Sequence, residues 1–424
     1  MIDQTYDVVV VGSGPGGLAA AIAAKENGAE KVLIIERDIE LGGILLQCIH
    51  NGFGMEIFKE DLPGPSYAQR FIQQVSELGI DTLLDSMVLE ATPQRRLYVT
   101  NRAGGIRTID TKALVFAMGC RERTRAQIRV PGTRPAGVYT AGTAQRWVNV
   151  EGFMPGKRFV ILGSGDIGMI MARRLTLEGA QVERVLEIMP YLSGLSRNYV
   201  QCLQDFNIPL HLKHTVKNII GNKRVEAVEM AAVDDQRRII PGSEEVILCD
   251  TLLLSVGLIP ENELSRQAGV QLDSLTSGPL VDSYFHTNVP GIFAAGNVVH
   301  VYDLVDWVTG AGREAGRGAA LYAMGKLPAS GACIAVRAGN NVRYVVPQRI
   351  DAQVLEQEPI SLQFRVSRPI EAPVWLEAAA NGNSVTRRSV FYARPGEMLN
   401  LPLKPEMADG LRGAKEITIH VNER

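Results

Sequence analysis

A glycine pattern occurs twice in this chain and limits its fold more than any other feature of its 424 residues. The first copy runs from Tyr6 to Arg37. Val8 to Val11 form a short apolar run that reads as a buried strand, and Gly12, Gly14 and Gly17 then spell G-x-G-x-x-G. An Ala-rich stretch follows and reads as a helix. Lys31 to Ile35 reads as the next strand and ends on Glu36, 24 residues after Gly12. The second copy runs from Arg158 to Glu187, with Gly163, Gly165 and Gly168 at the same spacing and Glu187 again 24 residues beyond the first glycine. The first glycine permits a tight turn, the second lets a pyrophosphate approach the backbone, and the third lets helix and strand pack closely. The free N–H groups and partial positive charge of the helix N-terminus suit the phosphates. The acid at the strand end can take ribose hydroxyls. One such motif is a weak signal. Two, each in strand–turn–helix–strand context with an acid at the same offset, predict two dinucleotide sites.

Two sites in one chain suggest a flavin and a nicotinamide, with hydride passing between them. Pro15 and Arg37 join the first set, and Asp166 and Ile167 the second. Glu187 favours NAD(H), because a carboxylate repels the 2′-phosphate of NADP; Arg184, close by, weakens that preference. The formal charge of −2 leaves no electrostatic footprint for nucleic acid. No run is long and apolar enough to span a bilayer, and residues 1–7, with two acids and no base, read as no signal peptide. The five cysteines, Cys48, Cys120, Cys202, Cys249 and Cys333, are odd in number and far apart, without C-x-x-C. That argues against a disulfide framework and against a metal or iron–sulfur site made by this chain alone. A reducing cytoplasm fits.

Three more stretches complete a pattern: "ALVFAMGCRER" (113–123), "LLLSVGLIPENEL" (252–264) and "VPGIFAAGNVVH" (289–300), each a buried strand ending in a glycine turn. With the two cradles, they make residues 5–328 resemble the two-dinucleotide-fold flavoprotein oxidoreductases, the glutathione-reductase-like superfamily. "GGILLQCIHNGFG", "GTAQRWVN" and "AGNVVHVYDLVD" are similar to one branch, the FAD/NAD-dependent subunits that accompany glycerol-3-phosphate or amino-acid dehydrogenase subunits. The resemblance implies FAD on Gly12, Gly14, Gly17 and Glu36, with Gly43 near the flavin and backbone near Val88 at the adenine. Ala117, Gly119 and Gly257 would line the cofactors. Gly296 and the next residue would meet the ribityl chain and pyrophosphate; most of the superfamily has Asp there, and this chain has Asn297. The helix expected from about Asp306 would point its N-terminus at the flavin, where a positive end stabilises the anionic reduced ring.

Disulfide reductases of this kind carry C-x4-C after the Gly-Gly pair, or C-x-x-C in the second nucleotide domain. Here Cys48 stands alone, and 166–187 holds no cysteine. Dithiol exchange needs a resolving thiol, so a disulfide substrate is not expected. Cys48 and His50 are the candidate catalytic residues, Cys48 as a redox sulfur and His50 as a proton donor; a buried lining cysteine and a structural histidine are the plainer readings.

The expected fold class is α/β: an FAD domain (1–118 and 256–328) interrupted by an NAD domain (119–255), then a small β-sandwich-like domain (329–424) of five or six strands, after a linker at 325–332. The last domain could dock a partner, make a homo-oligomer contact or cap the flavin domain. The leading reading is an FAD-dependent, NADH-linked oxidoreductase that exchanges electrons with a dehydrogenase subunit or a small iron–sulfur protein. A stand-alone NADH oxidase or diaphorase and a cofactor-bearing scaffold are its rivals.

Overall fold

The computed structural model describes residues 4–328 and 333–424. Residues 329–332 of the expected linker lie outside that range. The chain divides into two compact units, 1–120 with 260–424, and 121–259.

The first unit starts with strand β1 (Gln4–Val11), helix α1 (Pro15–Glu26) and strand β2 (Val32–Ile35). Every residue of β2 is buried, as is the Val8–Val11 run of β1. Continuous apolar runs of this kind belong to parallel strands covered on both faces. Pro15 opens α1, where its missing N–H costs nothing. Helix α2 (Gly64–Glu77) buries Tyr67, Ala68, Phe71 and Val75 along one face. Strands β3 (Asp81–Leu83), β4 (Ser86–Ala91), β5 (Arg96–Asn101) and β6 (Gly105–Phe116) follow. The sheet order is β3-β2-β1-β6-β5-β4. Strand β6 is shared: its start pairs antiparallel with β5, and its end pairs parallel with β1 and with the late strand Ile292–Ala294. Helix Val305–Ala323 lies on α1 at backbone distance, since a Cβ on Gly312 or Gly316 would sit 2.3 or 2.0 Å from the carbonyl oxygens of Gly16 and Ala20.

The second unit repeats the scheme. Five parallel strands lie in the order Leu210–Leu212, Gln181–Glu187, Arg158–Leu162, Thr251–Leu254, Val138–Thr140. Successive residues point to opposite faces. Phe159, Ile161 and Leu253 pack on one core, and Val160, Leu162, Leu252 and Leu254 on another. An antiparallel meander, His214–Gly221, Val225–Ala232 and Glu245–Leu248, accompanies the sheet.

After Cys333 the chain forms eight described strands in two sheets, one of five and one of three. Burial alternates along Glu416–Glu423, with Ile417, Ile419 and Val421 inside. The expected α/β class with a β-sandwich-like C-terminal part is the observed one. The strand count exceeds the five or six expected, for local reasons. "VRYVVPQRI" is two strands, Val342–Val346 and Arg349–Asp351, because Pro347 has no N–H for a ladder. Strand Asn383–Val390 has no buried residue and so no apolar alternation to read. No helix among the described residues is long and apolar enough to cross a membrane.

Candidate functional site

Each cradle is built from the same few contacts. In the first, Gly12 has φ +100°, and a Cβ there would lie 2.5 Å from the carbonyl oxygen of Ala117 at the end of β6. A Cβ on Gly17 would lie 1.9 Å from the Gly12 carbonyl oxygen, so helix and turn touch as backbone. Gly14 differs: a Cβ there meets nothing within 4 Å. The open side of the turn is thus at the glycine where a pyrophosphate would approach, in front of the α1 N-terminus. In the second cradle Gly163 has φ +103°, and its Cβ would lie 2.0 Å from the Ser255 carbonyl oxygen. Gly168 packs on Gly163 and Ser255, and its N–H donates to Ser255 Oγ at 3.0 Å. That hydroxyl also stands 3.2 Å from the Cβ position of Gly165, so this turn is tighter than the first.

The strand-end acids are buried and hydrogen-bonded in parallel ways. Glu36 accepts from the Ser13 N–H at 2.8 Å, the Ser13 hydroxyl at 2.6 Å and the Asp38 N–H at 2.9 Å. Glu187 accepts from the Ser164 N–H at 3.0 Å, the Ser164 hydroxyl at 2.6 Å, the Ser193 hydroxyl at 2.8 Å and the Met189 N–H at 2.9 Å. The serine hydroxyl of each cradle also accepts an N–H from 29 residues on, Gly42 to Ser13 and Ser193 to Ser164. A carboxylate has about four acceptor positions. Three of the donors to Glu187 converge on Oε2 and one reaches Oε1, so Glu36 and Glu187 each keep a position on Oε1 for a ribose hydroxyl. Ser13 and Ser164 were missed from sequence. Their signal was the middle residue of G-S-G, identical in both copies.

Other candidates gather around the first cradle. Gly43 (φ +55°) would put a Cβ 2.9 Å from Gly14 Cα, so the 43–47 turn rests on the cradle. Gly296 (φ +74°) faces Val308, in the helix Val305–Ala323, which begins close to its expected start. Val308 also contacts the Cβ position of Gly16. Asn297 accepts the Tyr302 N–H on Oδ1 at 3.1 Å and points Nδ2 at Cys120 Sγ, 3.6 Å away. An amide can do both, whereas a carboxylate has no N–H to give. Val88 is buried on β4, Gly119 has φ +73°, and Arg37 is exposed beyond β2.

In the second unit, Asp166 opens the helix Asp166–Leu177, and its Oδ1 accepts from the Leu195 N–H at 2.8 Å and Asn198 Nδ2 at 2.6 Å. It therefore ties down the 195–198 turn. Ile167 packs on the sheet core, and Gly257 (φ +101°) accepts the Arg123 N–H. Arg184 pairs with Glu245 at 3.0 Å on the meander.

Residues 6–317 match the pyridine nucleotide-disulphide oxidoreductase family. The chain belongs to that family. Members are flavin-dependent NAD(P)H oxidoreductases that bind FAD and NAD(P). The chain is 26% identical over 314 residues to an opine oxidase subunit of Agrobacterium tumefaciens strain Ach5, covering 70% of this chain and 62% of that one. It is 26% identical over 341 residues to the glutamate synthase [NADPH] small chain of Escherichia coli K12, covering 73% and 67%. It thus spans roughly two thirds or less of these relatives. Among solved structures, thioredoxin reductase of T. acidophilum superposes with a TM-score of 0.61 at 25% identity, covering 76% of this chain and 99% of that one.

For a pyridine nucleotide-disulphide oxidoreductase, the segment after Gly43 is the place to look for redox sulfur. Cys48 ends the short turn Gly43–Gln47, and its carbonyl accepts the Gly64 N–H at 2.8 Å. Burial pushes its thiol up to about 12, so at neutral pH it is a thiol and a poor nucleophile. None of the five cysteines forms a disulfide. His50 lies with Nδ1 2.8 Å from the Asn51 carbonyl oxygen and its ring 5.1 Å from that of Phe53. The loop beyond it is stapled to the helix Val305–Ala323: Asp306, buried in the first turn, accepts the Gly54 and Ile57 N–H groups at 3.2 Å each. The sequence marked Asp306 only as the expected start of this helix, and its hold on the 54–57 loop was missed.

Proposed function

We propose that this chain is an FAD-containing, NADH-linked oxidoreductase that exchanges electrons with a partner protein. The observation that carries the reading is the repeated Gly–Ser–Glu cradle, open at Gly14 in the first copy. Residues 1–120 with 260–328 would bind FAD, and 121–259 would bind NAD(H). The N-terminus of α1 and the bare backbone at Gly14 hold the FAD pyrophosphate, Glu36 takes a ribose hydroxyl, and Gly296 and Asn297 meet the ribityl chain. FAD, when bound, supplies two-electron chemistry. Gly165, the helix Asp166–Leu177 and Glu187 hold NAD(H); Glu187 disfavours a 2′-phosphate, and Arg184, engaged by Glu245, does little to offset it.

A partner is supported by two things. Cys48 has no second cysteine within reach in sequence and is held as a thiol, so this chain lacks a dithiol relay. Relatives carry names that mark them as one component of a larger enzyme, an oxidase subunit in one case and a synthase small chain in the other. The partner would be a dehydrogenase subunit or a small iron–sulfur protein, and five cysteines outside any disulfide suit work in the cytoplasm.

Anaerobic mixing of the purified protein with NADH, followed by air, tests the reading. Fast bleaching of the flavin band with slow recovery in air is the expected result. Fast recovery would favour a stand-alone oxidase, and absence of bleaching would overturn NADH as the reductant.

A further inference from the structure

The sequence leaves the purpose of the C-terminal strands open, and a buried ion pair assigns them one. Arg365, on strand Ile360–Val366, has a side chain only 14% exposed, and that of Asp303 is 9% exposed. Arg365 Nη2 donates to the Asp303 carboxylate and to the Val301 carbonyl oxygen at 3.2 Å. Nη1 donates to the carbonyl oxygens of Gly396 at 2.9 Å and Pro395 at 3.3 Å. The second Asp303 oxygen accepts the Met398 N–H. One guanidinium thus joins strand 360–366, the 395–398 turn and segment 301–303, using the planar fork that lysine lacks. The neighbouring strand Val342–Val346, whose Tyr344 pairs with Arg365, adds a ring contact to the segment: the ring of His300 is 5.8 Å from that of Tyr344 and 4.1 Å from that of Tyr302.

What is gripped is the chain between Asn297 and the helix Val305–Ala323. Tyr302, flanked by the two residues that Arg365 holds, gives its N–H to Asn297 Oδ1. A carboxylate at 297 would look the same after a half-turn of its side chain. An amide would not: a flip exchanges donor for acceptor. The Tyr302 N–H therefore fixes which end of Asn297 is presented, and Arg365 fixes the Tyr302 N–H.

We propose that the C-terminal strands are a clasp on segment 298–304, and that Arg365 is a positioning residue that orients the Asn297 amide toward FAD. The proposal rests on reading Asn297 as an FAD contact. It assigns to this domain a role in cofactor retention.

The test uses the full-length protein and two readouts: FAD release followed by flavin fluorescence, and amide hydrogen exchange. In Arg365→Met/Asp303→Asn, which removes both charges together, FAD is expected to leave at least tenfold faster. Exchange should rise across 298–304, while strands 360–366 and 416–423 keep their protection. In an Asn297→Asp background the same pair should change release less than threefold, because a symmetric carboxylate needs no orienting donor. Wild-type release from a variant with protected strands would overturn the clasp, as would equal acceleration in both backgrounds. Should the double variant not fold, Arg365→Lys keeps the charge beside Asp303 but loses the second arm of the fork, which holds the Pro395 and Gly396 carbonyls. It should release FAD at least threefold faster, and wild-type release would overturn the proposal. A wild-type chain that bound no FAD would sink the FAD reading; exchange across 298–304 in Arg365→Lys would then decide the clasp alone.

Discussion

The Cβ position of Gly14 is empty and its φ is −65°, a value any residue adopts. Gly14→Val should therefore fold normally and still lose FAD, because the new side chain fills the pyrophosphate approach. Flavin content together with thermal melting checks this, and a yellow variant would exclude the assignment. Glu187 is a subtler case. Ser193 is a third donor on its Oε2, while Oε1 accepts only the Met189 N–H and stays open to a ribose hydroxyl. Ser193→Ala should therefore leave NADH binding within about threefold of wild type, because the serine and the ribose use different oxygens. Glu187→Ala should weaken NADH at least tenfold and NADPH less. Fluorescence titration gives both numbers, and a change of about tenfold or more in the serine variant would contradict the open Oε1 position. Cys48, a thiol below about 12, should tolerate Cys48→Ser with flavin reduction by NADH within about threefold of wild type. Stopped-flow absorbance reads that directly.

At the scale of elements, α1 and the helix Val305–Ala323 meet through glycine with no room for a side chain. A Cβ on Gly316 would stand 2.0 Å from the carbonyl oxygen of Ala20. Gly316→Ala must push two helices apart, and overpacking of this kind costs about 1–3 kcal/mol. Urea unfolding of the variant measures it; an unchanged midpoint would mean that the helices are free to separate. These elements were largely legible in the sequence. Buried parallel strands read as apolar runs, and the cradles read as spacing. The edge strand Asn383–Val390 did not, since a strand exposed on both faces carries no apolar period. Nor did the hold of Asp306 on the 54–57 loop or the Arg365–Asp303 pair. Their partners lie 249 and 62 residues away in sequence, and only the folded chain brings them together. The serines of the two cradles sit between these cases: the repeat displayed them, but their hydrogen bonds form only in the folded chain.

For the molecule as a whole, acid stability depends on buried histidines. Burial, and then the Arg349 charge, lowers His286 to about 4; burial, and then Arg365, lowers His300 to about 3. Both are folded as neutral rings. Their contribution is complete above the ordinary histidine value of about 6.5 and is lost as pH falls toward the folded values. Asp282 works the other way. Burial raises it to about 6, so its contribution is complete below the ordinary carboxylate value and disappears as pH rises through about 6. Two wider gaps outweigh one, so the urea midpoint should fall from about pH 6.5 to about pH 4. His286→Gln with His300→Gln should flatten that slope; an equally steep fall would place the acid sensitivity elsewhere.

The interruption of the first unit by the second has a consequence for how the protein is made. Residues 121–259 are contiguous and carry their own cores, so they can close while later residues are still being synthesised. Strand β6 cannot: it waits for Ile292–Ala294 to lie beside it, and segment 301–303 waits for Arg365 and Met398. Domains close as units during synthesis, and here the earlier part of the chain closes last. The flavin, on this reading, is acquired only after residues 360–398 have been made, by a chain whose nicotinamide half is already folded.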